Sequence, residues 1–331
     1  MRQLRVLAGI FVILAAVAGC SGSGAPAKAL HAAEPATAPP QTARPAGTVA
    51  RVGALPEGIV YDARTQLVGV AVRDPNRLQL LDPTTLRVRR SVALPGSVRH
   101  MQLAAAGGPV LVPDETARRL LQVGLPSGAI LASTPVGKQP HDAYRIGADD
   151  VVGNEFGHSL SIIRDGRVIK TVGGVRQPGG VVADGTHTAV VVDVHNYTVS
   201  TFDLTTFTRT ALIHVGKGPT HDAPIGGGRV LVTDTRGNAV LVVDVHPLKQ
   251  VGRLSLPGTP YGIAADPTTH TVWVTLTKLN EVVGVDVASL TPKVIARYRT
   301  VRQPNTVAVA PGSHTLWITG THDGVVQRIA R

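Results

Sequence analysis

The sequence predicts an all-β protein, a seven-bladed β-propeller, and three observations indicate this fold. A similar pattern recurs seven times in the 331-residue chain at steps of 38–44 residues, which is the length of a four-stranded propeller blade. The composition combines 43% hydrophobic residues with 36 Gly and 24 Pro, which favours many short strands joined by turns over long helices. The first and last segments of the repeated region have complementary strand patterns, which predicts closure into a ring.

The N-terminal residues predict an export signal. Residues 1–5 carry two arginines, and residues 6–19 are uncharged and mostly apolar. This apolar stretch is shorter than the ~20 residues that a membrane-spanning helix needs. A basic start, a short apolar stretch and small residues at its end are typical of a signal peptide. We therefore expect residues 1–19 to be a signal peptide.

Cys20, the single cysteine of the chain, follows this segment directly. The sequence Val17-Ala18-Gly19-Cys20 resembles the bacterial lipobox, which implies that Cys20 receives a diacylglycerol and with it fatty acids such as palmitate. Two acyl chains hold a protein stably on a bilayer. We therefore expect a lipoprotein that is anchored to the cell membrane and faces the extracytoplasmic side. An ordinary signal peptide with a chance cysteine is the alternative.

Residues 20–46 predict a flexible linker between the lipid-anchored cysteine and the folded body. Residues 21–46 are rich in Ser, Gly, Ala and Pro and show no apolar periodicity, so they offer nothing to a packed core. Five prolines in this stretch favour an extended polyproline II conformation. We expect a disordered spacer.

Each of the seven repeats contains three recurring features. The first is a proline-containing crossing segment that leads into an apolar strand; the crossings are 55–62, 94–104, 136–146, 174–184, 215–225, 256–266 and 301–311. The second is an apolar strand that ends in a polar residue, as in VVVD (190–193) and LVTD (231–234). The third is Asn, alternating apolar residues and Asp, as in NAVLVVD (238–244) and NEVVGVD (280–286), an alternation typical of half-buried strands.

These motifs resemble the YVTN-type (YncE-like) repeat of bacterial seven-bladed β-propellers. The family pattern runs V-G-x-x-P, an apolar strand, Y-V-T-N and N-x-V-x-V-x-D. The resemblance covers residues 47–331 and implies a propeller domain with these bounds. This chain departs from the pattern by replacing the Tyr with Trp, Leu or Val and the final Asn mostly with Asp.

The ends of the repeated region predict how the ring closes. The last repeat stops at its third strand, VVQRIAR (325–331), whereas GTVARVGAL (47–55) matches the fourth strands of other repeats. We expect the strand at 48–54 to pair with that at 324–330, because this closure removes free sheet edges. Trp273 and Trp317 occupy the same strand position in the last two repeats and are expected to pack within blades.

The crossings should bring one residue per blade to the mouth of the central channel. The candidate ligand or metal site consists of Glu57, His100, His141, Asp142, His221, Asp222, Tyr261 and Asn305. A His-Asp pair occurs twice, at 141–142 and 221–222. Imidazole and carboxylate groups suit zinc, copper or a related divalent ion, and they could equally supply a general base. Repetition of the same residue type in each blade, at a wet channel mouth, is the alternative explanation.

Two functions follow from this reasoning. The first is a binding or scaffold module for a protein, a glycan or a small ligand, which we favour over an enzyme. The second is a metal-dependent hydrolase or lyase, since related propellers include metal-dependent lactonases and antibiotic-cleaving lyases. In that comparison, Glu57 and Asn305 on adjacent blades resemble part of a lactonase ligand set. A quinone-dependent redox protein is disfavoured, because the chain has only two tryptophans to stack a flat cofactor.

Composition also excludes several classes. The net charge is +11, but the basic residues are scattered and aromatic residues make up 3%, so neither a basic stripe nor stacking platforms for nucleic acid are expected. One cysteine permits no intramolecular disulfide. The sequence contains no HExxH motif and no G-x-S-x-G nucleophile motif, and so carries neither signature of hydrolytic chemistry.

Overall fold

The structure is a computed structural model that describes residues 31–330, and these residues form seven four-stranded antiparallel sheets. The described range contains no α-helix, which confirms the predicted all-β class. Within this range, no helix has the length and apolarity needed to cross a membrane. The predicted signal peptide, Cys20 and the first part of the linker, up to residue 30, lie outside the described residues.

The first six blades follow one another along the chain, and each contains four consecutive strands. Blade 1 contains β2 (Ile59–Asp62), β3 (Leu67–Val72), β4 (Arg77–Leu81) and β5 (Val88–Ala93). Blade 2 contains β6 (Gln102–Leu103), β7 (Val110–Asp114), β8 (Arg119–Val123) and β9 (Ile130–Pro135). Blade 3 contains β10 (Pro140–Ile146), β11 (Asp149–Asn154), β12 (Ser159–Arg164) and β13 (Arg167–Val172). Blade 4 contains β14 (Pro178–Asp184), β15 (Thr188–Asp193), β16 (Thr198–Asp203) and β17 (Thr208–His214).

The remaining blades continue this order around the ring. Blade 5 contains β18 (Pro219–Pro224), β19 (Arg229–Asp234), β20 (Ala239–Val245) and β21 (Leu248–Ser255). Blade 6 contains β22 (Pro260–Asp266), β23 (Thr271–Leu276), β24 (Glu281–Asp286) and β25 (Lys293–Arg299). Blade 7 contains β26 (Val307–Val309), β27 (Leu316–Gly320) and β28 (Val325–Ile329), and its fourth strand is β1 (Thr48–Arg51).

The first strand of every blade lies at the centre of the ring. These seven strands contact their neighbours in the order β2, β6, β10, β14, β18, β22 and β26, and the last contacts the first. Their side chains are largely buried, whereas the outermost strands are largely exposed. The predicted seven-bladed propeller is thereby confirmed.

The ring closes through its N-terminal strand, as the sequence predicts. Strand β1 pairs antiparallel with β28, with Thr48 opposite Arg328 and Arg51 opposite Val325. Val52 follows with 5% of its surface exposed, and its backbone N–H donates to the Gly324 carbonyl at 3.0 Å. The closing strand is shorter than the predicted 48–54, because beyond it the chain turns towards blade 1, where Ala54 bridges to Arg73.

The hydrophobic core is divided among the blade interfaces. Seven apolar clusters each combine residues from two neighbouring blades. Trp317 belongs to the cluster between blades 7 and 1, and Trp273 belongs to the one between blades 6 and 7. Both tryptophans are almost fully buried, as expected. Because every blade packs against both of its neighbours, the inner strands are held in fixed positions around the channel.

The second half of the expected linker differs from a free spacer. Residues 31–46 contain no strand, in agreement with the composition, but they lie against the ring. Ala38 is 2% exposed, and its backbone N–H donates to Gln303 Oε1 at 2.8 Å. Asn280 Nδ2 donates to the Pro39 carbonyl at 2.9 Å. Most of these contacts join backbone groups of residues 31–46 to side chains of the blades. The pattern of apolar residues in the sequence therefore could not predict that this segment lies against the ring.

Candidate functional site

The candidate residues lie where the inner strands begin. His141 and Tyr261 are the second residues of β10 and β22, and His221 is the third residue of β18. Glu57, His100 and Asn305 stand two residues before their inner strands. We call this side of the ring, where the loops lead from one blade into the next inner strand, the mouth face. The repeat places all these residues at one end of the channel.

Three histidines from different blades converge at this end. The ring centroids of His100 and His221 are 4.3 Å apart, and those of His100 and His141 are 4.7 Å apart. One ring nitrogen from each imidazole lies within 4.8 Å of the corresponding nitrogens of the other two. His141 and His221 are buried, with 4% and 6% exposure, and His100 is half-buried. We call these residues the histidine cluster.

Two of the three imidazoles are oriented through their Nδ1 atoms. His141 Nδ1 lies 3.2 Å from Glu115 Oε1 and 3.5 Å from Glu155 Oε2. His221 Nδ1 lies 3.2 Å from the Tyr261 backbone carbonyl. These contacts require a proton on Nδ1, so the Nε2 atom of each neutral ring is the one that can bind a ligand.

Glu115 and Glu155 are functional candidates that sequence reasoning missed. Each follows directly after the second strand of its blade, β7 or β11, and each is buried. A carboxylate at the same place in two neighbouring repeats is the signal that could have revealed them. Together with His141 they form a second group of potential metal ligands within 4.8 Å of one another.

Burial and charge set the protonation of the cluster. Burial, with the neighbouring His141 adding to it, lowers the pKa of His221 to about 3. Burial and the other two histidines also hold the pKa of His100 well below its usual value. For His141, burial lowers the pKa, but the hydrogen bond to Glu115 and the charge of Glu155 outweigh it and raise the pKa. At neutral pH, His100 and His221 are therefore neutral imidazoles.

Glu57 and Asn305 form a hydrogen bond with each other, and each also interacts with a neighbouring side chain. Asn305 Nδ2 donates to Glu57 Oε1 at 3.1 Å, and Asn305 Oδ1 accepts from Gln303 Nε2 at 2.9 Å. Glu57 also pairs with Arg73. Glu57 does not belong to the groups of histidine and carboxylate ligand atoms found among the described residues. In this structure, the side chains of Glu57 and Asn305 are bonded to each other, to Arg73 and to Gln303.

Arg99 and Tyr261 complete the surroundings of the cluster. Arg99 Nε lies 3.5 Å from Glu115 Oε1, and burial of this guanidinium is outweighed by the charges of Glu115 and Glu57, which raise its pKa. The Tyr261 ring stands edge-on to His221 at a centroid distance of 4.5 Å. Burial and the charges of Glu34 and Glu57 raise the pKa of Tyr261, so its hydroxyl stays protonated.

Asp142 and Asp222 lie deeper in the channel than the histidines that precede them. Asp142 Oδ2 accepts from the Val181 N–H at 3.0 Å, and its Oδ1 accepts from the Ala143 N–H at 2.9 Å. Asp222 is equally buried, but within residues 31–330 no other residue donates a hydrogen bond to its carboxylate oxygens. Burial raises the pKa of Asp142 to about 6. Burial, reinforced by the charge of Asp142, raises the pKa of Asp222 well above its usual value.

Two cavities adjoin the histidine cluster. The larger, about 520 Å³, occupies the channel below the cluster and is lined by both aspartates and by His100 and His221. The smaller, about 20 Å³, lies on the other side and is lined by His141, His221, Glu155 and Arg99. A space of this small size holds a single water molecule.

Residues 31–41 form a cover over the small cavity. Ala32, Ala33 and Glu34 line it from above. The cover is fixed at one end where Arg236 Nη2 donates to the His31 carbonyl at 2.9 Å. At its other end, Gln41 Nε2 donates to the Thr300 carbonyl at 2.6 Å. The cover thus runs across the mouth face from blade 5 to the loop between blades 6 and 7.

Comparisons with known proteins show the fold. No protein-family profile matches this sequence, and no curated protein matches it. Among solved structures, the Kuenenia stuttgartiensis hydrazine synthase is similar with a TM-score of 0.72 and 15% identity, over 84% of this chain and 96% of that chain. A chain of a mitotic checkpoint complex has a TM-score of 0.76 and 12% identity, over 92% of this chain and 98% of that chain. A streptogramin B lyase has a TM-score of 0.70 and 12% identity, over 84% of this chain and 94% of that chain.

Proposed function

We propose that this chain is a binding module whose channel holds one divalent transition-metal ion on His100, His141 and His221. The observation that carries the proposal is the convergence of three imidazoles from three blades, with one ring nitrogen of each within 4.8 Å of the others. Three histidines with a free fourth position are a common ligand set for zinc, and imidazole also suits copper and nickel.

The surroundings support a cation at this point. The Nδ1 contacts of His141 and His221, to a carboxylate and to a backbone carbonyl, are the partners that orient metal-binding histidines in other proteins. The low pKa values of His100 and His221 keep these rings unprotonated, as a ligand must be.

The charges around the cluster also favour a dication. Two buried carboxylates, those of Glu115 and Glu155, flank the cluster, and the guanidinium that acts on both is that of Arg99. With His100 and His221 neutral, the two carboxylates are balanced by Arg99 and by the proton that they favour on His141. A bound dication would replace that proton as the partner of the two carboxylates.

A metal-dependent lyase or hydrolase is the second candidate. The specific observation in its favour is that His100 and His221 also line the cavity of about 520 Å³, so a metal ion on the cluster would face a space large enough for a small substrate. The fold shared with a streptogramin B lyase is compatible with such chemistry but does not decide it.

Calorimetric titration with Zn²⁺ tests the metal site. We expect stoichiometric binding to the wild-type protein and its loss when His100, His141 and His221 are all replaced by Ala. His187→Ala, at an exposed turn, is the control and should bind as the wild type does. Unchanged binding by the triple variant would refute the proposal. Chelator-sensitive turnover of a lactone such as dihydrocoumarin would favour the enzyme.

We further propose that the propeller is an extracytoplasmic lipoprotein, held on the cell membrane through Cys20, that presents its faces to a protein, glycan or small ligand. The lipobox-like residues and the apolar signal support this proposal. Labelling of cells with a radioactive fatty acid should mark the wild-type chain and leave Cys20→Ala unmarked. An unlabelled wild-type chain would contradict lipid anchoring.

A further inference from the structure

The large channel cavity has the dimensions and walls of a small-molecule site. Its volume is about 520 Å³, within the range of about 300–1,000 Å³ that such sites occupy. Most of its lining is apolar and comes from the inner strands, including Ile59, Leu103, Val182, Ile263 and Val307. It lies below the histidine cluster, away from the cover formed by residues 31–41.

The charges of this cavity differ from those of the chain as a whole. The protein contains 33 Lys and Arg residues, yet none of the described residues that line the cavity is a Lys or Arg. Two carboxylates line it, those of Asp142 and Asp222, beside the rings of Tyr61 and Tyr144. An apolar pocket with acidic groups and no basic group favours a cation over an anion or a neutral molecule.

Asp142 and Asp222 occupy equivalent positions but differ in how they are satisfied. Asp142 accepts backbone hydrogen bonds from Val181 and Ala143, and it also accepts one from the Gln102 side chain. Asp222 has 7% exposure, and neither oxygen has a donor on another described residue. A buried carboxylate without such a donor is unfavourable, so Asp222 is a group of this cavity that the described part of the chain leaves without a partner.

The intervening blade explains why Asp222 can sit there. Blade 4 carries Gly179-Gly180 where blades 3 and 5 carry His-Asp. A Cβ atom on Gly180 would overlap Asp222 Oδ1, so the glycine makes room for the carboxylate of the next blade. Blade 4 thus departs from the His-Asp pattern at Gly180, and this departure lets Asp142 and Asp222 both lie beside its inner strand, β14.

We propose that Asp222 binds the ammonium group of a small organic amine whose apolar body fills the channel cavity. Asp142 adds a second acidic group to the same cavity, and the rings of Tyr61 and Tyr144 also line it. A charged N–H donor would satisfy the oxygens that the protein leaves unpaired. This inference deepens the proposed binding role and does not require a metal ion on the histidines.

Calorimetry with a series of primary ammonium ions, from methylammonium to 2-phenylethylammonium and tryptammonium, tests this inference on the purified protein. We expect saturable binding that strengthens with the size of the apolar body. The neutral isostere 2-phenylethanol should bind at least tenfold more weakly than 2-phenylethylammonium. No saturable binding by any member, or equal binding of alcohol and ammonium, would overturn the inference.

A matched pair of variants assigns the binding to the carboxylate. Asp222→Asn keeps the shape of the side chain and should weaken ammonium binding at least tenfold, whereas Asp165→Asn, in an exposed turn, should leave it unchanged. Zn²⁺ titration of the same samples shows whether the histidine cluster is intact. Zn²⁺ binding without ammonium binding would refute this inference and leave the proposed metal site standing; ammonium binding without Zn²⁺ binding would do the reverse.

Discussion

His141 Nδ1 of blade 3 lies 3.2 Å from Glu115 Oε1 of blade 2. This contact joins an inner strand to the end of the second strand of the preceding blade, so it depends on the docking of the two blades. It fixes both the orientation of the imidazole and the nitrogen that carries its proton. The histidine cluster is thereby preorganised by residues that the repeat does not place at the channel itself.

We expect Glu115→Gln to weaken Zn²⁺ binding about 10- to 100-fold, the usual effect of losing a carboxylate partner of a metal-binding histidine. The amide keeps the shape but not the charge that favours the protonated Nδ1. Calorimetric titration measures the change. Glu281→Gln is the control, because Glu281 pairs with Arg297 on the outermost strand of its blade. Equal affinities for the wild type and Glu115→Gln would show that this contact does not support a metal site.

The repeat made part of this site predictable. His100, His141 and His221 occupy one position of the repeat, so the sequence predicts that they can converge at the channel. Glu115 and Glu155 lie in loops that face the inner strands, so the pattern of the inner strands alone does not reveal them. The cover over the mouth face was missed because residues 31–41 bind through backbone groups, such as the Pro39 carbonyl, which composition does not reveal. The position of the Asp222 carboxylate depends on its close packing against Gly180. Such packing between blades cannot be predicted from a single sequence.

Removal of the closing strand should destabilise the ring far more than removal of the cover. Strand β1 forms four residue pairs with β28, and each hydrogen bond contributes about 0.5–1.5 kcal/mol. Because the entropy of unfolding scales with chain length, 1 kcal/mol corresponds to about 2 °C for a ring of this size, and we expect deletion of residues 31–53 to lower Tm by roughly 5–10 °C relative to deletion of residues 31–46. Differential scanning calorimetry measures both variants.

The two deletions also differ in the sheet edge that they create. Without β1, the buried strand β28 replaces the exposed strand β1 as the edge of blade 7, and an apolar edge favours association between chains. Size-exclusion chromatography should therefore show oligomers for the longer deletion and a monodisperse species for the shorter one. Equal Tm values and elution volumes would show that the closing strand does not hold the ring together.

The two buried tryptophans should respond differently to replacement by Phe. Trp317 Nε1 donates to the Pro83 carbonyl of blade 1 at 2.9 Å, whereas Trp273 Nε1 has no hydrogen-bond partner among the residues that the structure describes. Trp317→Phe therefore removes volume and leaves a buried carbonyl unpaired, which costs about 1–3 kcal/mol beyond the packing loss. We expect it to lower the free energy of unfolding in urea more than Trp273→Phe does. Losses of the same size would show that the Pro83 contact contributes nothing.

Asp62 and Asp266 should make the ring sensitive to acid. Each ends an inner strand and accepts a backbone N–H from the next blade, from Gly107 or Gly312, at 2.8 Å and 2.9 Å respectively. Burial raises the pKa of each carboxyl, but these bonds and those from nearby threonines outweigh it and lower the pKa. Their stabilisation is therefore complete above the unfolded-state pKa of about 3.9 and is lost as the pH falls through the lower folded-state pKa.

Replacement of both aspartates by Asn tests this acid sensitivity. The amides accept these bonds without charge, so we expect Asp62→Asn with Asp266→Asn to lower the free energy of unfolding at pH 7 by about 1–3 kcal/mol per site. The loss should shrink as the pH falls from 5 to 2.5, because protonation removes the same charge from the wild type. Urea unfolding at each pH measures this convergence, with Asp165→Asn as the exposed control. Curves that stay parallel over this range would show that the two carboxylates do not couple the blades through their charge.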